Sequence, residues 1–129
     1  MTESTEQPEQ PSQKDQLLAA LEQHEGAPTP AIIDGWKETF GDVFIAAFDA
    51  DEVFVFRALN RKEYRELQIK AADTDPMEYE ESVVKTCLLF QSVSQLDNKA
   101  GTIPSLLEMV MQNSNFVPPA IAAQLVTKL

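Results

Sequence analysis

The chain has 129 residues, 43% hydrophobic and 24% charged, a length and balance that fit one small domain around a single core. Twenty-one acidic against ten basic residues set the net charge at −11 and the pI near 4.4, which opposes binding to nucleic-acid phosphates and to an anionic membrane surface. The one cysteine, Cys87, excludes an internal disulfide and lacks the Cys/His spacing of structural zinc. With no secretion signal and no apolar run of transmembrane length, the expected location is the cytoplasm.

Met1 to Gln13 is Glu, Gln, Ser, Thr and Pro, with no apolar residue after the initiator, so burial cannot offset its ordering entropy and a disordered tail is predicted. From Lys14 to His24, Leu17, Leu18 and Leu21 fit a short helix that Gly26 and Pro28-Thr29-Pro30 terminate. It docks either on the domain or on a partner, and spacing does not choose. The expected division is therefore an acidic disordered tail with a short helix over 1–30 and a single small domain over 31–129.

In that domain, Ile32, Ile33, Trp36 and Phe40 supply apolar anchors before Gly41 breaks the segment. Val43 to Phe48 and Val53 to Phe56 read as strands, and the short acidic stretch Asp49-Ala50-Asp51-Glu52 makes an antiparallel hairpin the economical pairing. Phe44, Phe48, Phe54 and Phe56 put large apolar groups on both faces, so the ribbon needs cover on two sides. Asn60 with Glu63 three positions on forms a capping box, in which Tyr64, Leu67 and Ala71 mark the buried face of the helix that follows. Asp75-Pro76 starts another helix, expected to run through Val83, Val84, Cys87 and Leu88 as far as Phe90.

Gln91 to Ala100 reads as a polar loop. Ile103, Leu106, Leu107, Val110 and Met111 then make the clearest helical stripe in the chain, with Pro104 tolerated in the first turn. Pro118-Pro119 opens a last segment carrying Ile121, Ala122, Leu125, Val126 and Leu129. The fold class expected is α+β and mainly helical: an N-terminal disordered tail, then a β-hairpin followed by three to four packed α-helices.

Nothing in the chain has the pattern of a catalytic or cofactor site, and no enzyme activity, metal or cofactor is expected. His24 has no second ligand at helical spacing and reads as a solvated surface residue. Cys87 lies on an apolar stripe and reads as a buried, inert thiol. Asp49, Asp51 and Glu52 lack the Gly and the later Glu of a calcium loop and read as a solvated turn. Arg57, Arg61, Lys62 and Arg65 concentrate four of the ten cations in nine residues. Arg57, Arg61 and Arg65 are accordingly candidates for gripping a partner's carboxylate or phosphate, against internal pairing with the interleaved Glu63 and Glu66. The second candidate surface is apolar: Leu106, Val110, Met111, Ile121 and Leu125 either form a groove for a partner helix or pack into the core.

Four stretches carry a resemblance: Trp36-Lys-x-x-Phe-Gly41, Val53-Phe-x-Phe-Arg-x-Leu-x-Arg-Lys-Glu-Tyr64, Val83-Val-Lys-x-Cys87 and Ala100-Gly-Thr-Ile-Pro-x-Leu106. Together, over about Trp36 to Phe116, they resemble the small tail assembly chaperones and related tail or baseplate assembly proteins of tailed bacteriophages. Asn60 stands where Thr is usual at the strand-to-helix junction, and Asn caps equally well. The resemblance implies a host-cytoplasmic chaperone whose partner is the tape measure protein or another tail component. A structural subunit of the tail or baseplate, located in the virion, is the first alternative. The second, motivated by the −11 charge, is an acidic DNA mimic that blocks a DNA-binding protein. Self-association is compatible with each.

Overall fold

A computed structural model describes residues 12–129; of the tail expected over Met1 to Gln13, residues 1–11 lie outside the described residues, while Ser12 and Gln13 instead cap and open a helix. The hairpin forms as the sequence predicts. Strands β1 (Val43–Asp49) and β2 (Glu52–Arg57) pair antiparallel with Phe44 opposite Phe56, Ile45 opposite Val55 and Ala46 opposite Phe54. In the turn, Asp49 Oδ1 accepts the Asp51 N–H at 2.8 Å, the local bond that Asp offers a backbone changing direction.

A third strand, β3 (Leu88–Gln91), pairs antiparallel with the other edge of β2, giving the sheet order β1-β2-β3. This corrects two expectations. The helix starting at Pro76, α4 (Pro76–Cys87), stops at Cys87 instead of continuing to Phe90, and the polar loop starts only after Gln91. Leu88, Leu89 and Phe90 suit either period; the unpaired edge of β2 offers them a hydrogen-bonded ladder, and that tertiary option overrides helical continuation.

Because side chains alternate across a strand, β2 feeds two cores. Val53 and Val55 face α1 (Gln13–Glu22) and α2 (Pro30–Phe40), packing with Leu21, Ile33 and Trp36. Phe54 and Phe56 face the opposite layer, made of α3 (Arg61–Ala71), α4 and α5 (Thr102–Asn113). The central strand is thus sealed on both sides; Val53 and Phe54 are fully buried, each contributing about 1.5–3 kcal/mol of burial free energy. The fold is α+β and mainly helical, with the hairpin followed by α3, α4, α5 and α6 (Pro119–Leu125).

The short helix at the N-terminal end docks on the domain. Ser12 caps α1 by accepting the Asp15 N–H, Leu21 is buried against β2, and the packed body therefore starts before Ala31. His24, expected to be solvated, is half-buried: its Nε2 lies 2.8 Å from the Ala50 carbonyl and ties the end of α1 to the hairpin turn. Thr29 caps α2 ahead of Pro30, and Gly41 ends it with φ of 88°, a backbone conformation that L side chains rarely adopt.

Candidate functional site

The junction between β2 and α3 is built inward. The Asn60 side chain accepts the Glu63 N–H at 2.8 Å, and Glu63 Oε1 accepts the Asn60 N–H at 3.2 Å, closing the capping box. The same carboxylate receives a bidentate grip from Arg57, Nη1 to Oε1 at 2.8 Å and Nη2 to Oε2 at 2.7 Å. Arg57 Nη2 also donates to the Thr86 carbonyl at the end of α4, and the Phe40 ring centroid lies 4.6 Å from the guanidinium carbon. Hydrogen bonding to Glu63 raises the Arg57 pKa, and the same bonds hold the Glu63 carboxyl below its ordinary value.

Arg57 is therefore buried and its hydrogen-bonding is directed inside the fold, which corrects its assignment as a partner-binding residue. Periodicity suggested an exposed arginine because it leaves the strand next to a charged helix; the cap at Glu63 draws it inward. Arg61 and Arg65 are exposed, with Arg61 lying over the Tyr64 ring at 5.7 Å, so only part of the basic cluster faces solvent.

The apolar candidates also divide. Leu106 and Val110 are each 1% exposed, and Met111 packs against the same core, so these three belong to the interior beneath the sheet and form no groove. The reason lies in β2: Phe54 and Phe56 present a surface that the α5 stripe is needed to close. Ile121 and Leu125 on α6 remain exposed, Leu125 by 71%, and no residue of α6 is buried. Between the two helices, α5 ends in a Schellman arrangement: Asn115, with φ of 69°, donates to the Gln112 carbonyl and Phe116 to that of Met111. Phe116 then packs on Tyr64 at a centroid distance of 5.0 Å, pinning the chain to α3 just before α6 starts.

A surface that residue patterns did not single out lies on the other face of the sheet. Leu18 and Leu21 from α1, Ile33 from α2, and Val43, Ile45 and Val55 from the strands line a groove of about 250 Å³. Lys14, Glu22, Asp34 and Lys37 stand along it. Leu17-Leu18-x-x-Leu21 was the legible half of the signal; the other half needs the docking of α1 beside α2. This groove is a concave apolar surface with the shape to take a partner's aliphatic side chains.

The remaining chemistry-bearing residues are structural. Burial leaves Cys87 fully covered and pushes its thiol up to about 11. Lys99 pairs with Glu52, a contact that raises the lysine's pKa and anchors the segment before α5 to the hairpin turn. Among the described residues, no group of three His, Cys, Asp or Glu is placed to hold a metal ion, and no helix is long and apolar enough to cross a membrane. No protein family, curated protein or solved structure matches the chain.

Proposed function

We propose that the protein is a non-enzymatic assembly chaperone of a bacteriophage tail, acting in the host cytoplasm and holding an apolar helical stretch of the tape measure protein. The observation that carries this reading is the groove between α1 and α2. It is floored by Val43, Ile45 and Val55, with cations and anions both available at its margin. A helix laying an apolar stripe into such a groove would bury its side chains while its polar flanks meet Lys14, Lys37, Glu22 and Asp34. The excess of acid keeps the loaded and unloaded chaperone soluble. The resemblance of the junction and of the α4 and α5 segments to tail assembly proteins supports the choice of client.

The test is co-expression with a candidate tape measure protein from the same source. A stable complex is expected, weakened at least tenfold by Ile33→Asp, which places a charge on the groove wall. If the two proteins do not co-purify, or if Ile33→Asp binds as well as the parent while remaining folded, the proposal fails.

A further inference from the structure

The sheet has two outer edges, and only one of them is blunted. β3 is four residues long, and its pairing with β2 slips between Val55 and Phe56, leaving Leu89 outside the ladder. A short, bulged edge is poor at accepting another strand. β1 is seven residues long, with no Pro and no charge before Asp49, and its pairing is regular from Val43 to Ala47. We infer that the outer edge of β1 receives an extended segment of a partner protein as a fourth strand, one whose alternating apolar residues are flanked by Lys or Arg about seven positions apart.

The backbone of β1 is only half used. Val53 donates its N–H to Ser92 Oγ at 2.8 Å and its carbonyl accepts the Ser92 N–H at 3.0 Å, so these groups point toward β3. Successive residues of a strand direct such groups to opposite sides, so Phe54 and Phe56 bond across to their partners Ala46 and Phe44. Val43, Ile45 and Ala47 are left with N–H and C=O groups aimed outward, and nothing among the described residues bonds to them. The side chains along this edge are aromatic. Phe44 stacks on Phe56 and Phe48 meets Phe54 edge-on, yet Phe48 stays 41% exposed because no neighbouring strand covers it. A fourth strand would complete the ladder and cover Phe44 and Phe48 together.

Charge selects the occupant. Asp42 precedes β1 and Asp49 ends it, about 23 Å apart at roughly 3.3 Å per residue. At the first end Asp42, with Asp34 and Glu38 of α2, outnumbers Lys37, and across the groove Lys14 is offset by Glu22. At the second end Asp49, Asp51 and Glu52 outnumber Lys99, which pairs with Glu52. Arg57, opposite Val43, is already neutralised by Glu63. Both ends of the edge are therefore negative, the pattern that basic residues flanking an extended segment meet. A second copy does not meet it: whether two β1 edges pair antiparallel or parallel, acid is set against acid at both ends, on bodies that each carry −11. Residues 2–11 of the chain do not meet it either, since they hold three Glu, two Pro and no cation.

This edge is not the helix-binding surface proposed above, and the test keeps the two apart. The probe is a dye-labelled synthetic peptide of alternating Val and Thr with Lys at each end, about seven positions apart, titrated with the full chain by fluorescence anisotropy. Binding is expected, at least tenfold weaker for the same peptide ending in Glu. It should also be at least tenfold weaker for Ala47→Pro, which removes one outward N–H at an edge where proline is tolerated. In amide hydrogen exchange followed by NMR, Ile45 and Ala47 should gain at least tenfold protection with the peptide, whereas Phe44 and Ala46 are protected without it. That measurement reads the edge on the parent chain whatever the fate of the proline variant. No protection gained at Ile45 and Ala47, equal binding of the two peptides, or undiminished binding by a folded Ala47→Pro overturns the inference. Protection of those amides that rises with protein concentration in the absence of peptide makes a second copy the occupant and overturns it too. Ile33→Asp should weaken client capture and leave peptide binding unchanged; loss of peptide binding would place the peptide in the groove, overturning the inference while the proposed function stands. Failure to capture the client with a peptide-protected β1 edge would do the reverse.

Discussion

Replacing Glu63 by Ala removes in one step the carboxylate that caps α3 and neutralises Arg57. Arg57 would keep the carbonyls of Thr86 and Ala58, at 2.9 and 3.2 Å, but would be left 8% exposed without an anionic partner. Breaking a buried ion pair costs about 3–5 kcal/mol, and the Glu63 side chain is 24% exposed, which places this pair near the lower end. The expected loss of about 3 kcal/mol is a large part of the roughly 5–15 kcal/mol that stabilises a domain. At about 3–6 °C per kcal/mol for a chain of this size, the melting temperature should fall by roughly 10–15 °C. Arg57→Met combined with Glu63→Gln should recover more than half of the loss, because the uncompensated charge is gone. The pH dependence has a definite sign. The Glu63 pKa is lowered on folding, so the ionised pair stabilises above the unfolded value of about 4.3, and this contribution disappears as pH falls through the folded value. Urea unfolding followed by far-UV circular dichroism at pH 7 and pH 3 measures all of this. A Glu63→Ala chain within 1 kcal/mol of the parent at pH 7, or a double variant no better than the single, would falsify the role assigned to the pair.

Asn60→Ala should cost about 1 kcal/mol by losing the bond to the Glu63 N–H, while Asn60→Asp should stay within about 0.5 kcal/mol; equal losses in urea titration would contradict the capping geometry. Leu106→Ala should destabilise by about 2–5 kcal/mol because its site is closed on every side, and Leu125→Ala by less than about 0.5 kcal/mol. Similar melting temperatures for those two variants would show that the division between core and surface is drawn wrongly. Cys87 should resist an aromatic disulfide reagent at pH 8 in the native state and react at once in urea, since it is buried and its thiol is held near 11. Rapid labelling of the folded protein would contradict that packing.

Among the elements, those specified by neighbouring residues were legible without coordinates. Asn60 and Glu63 interact across three positions, Asp75 caps a helix opened by proline, and the short acidic turn leaves β1 and β2 little choice but to pair. The candidate site was less legible, because exposure depends on distant partners. Arg57 stays divided between a partner's anion and internal pairing until Glu63, Thr86 and Phe40 are brought around it, and Leu106 between groove and core until Phe54 is set beneath it.

Amino-acid order by itself determined the hairpin, the caps and the absence of a recognisable catalytic motif, since each depends on contacts a few residues apart or on residue types alone. Only the tertiary structure decided that Leu88 to Gln91 is a strand, that α1 docks beside α2, and that the apolar opening lies between them. Those outcomes turn on which surfaces compete for the two edges and two faces of β2. Such competition is settled by burial over the whole fold and leaves no periodic trace in any one segment.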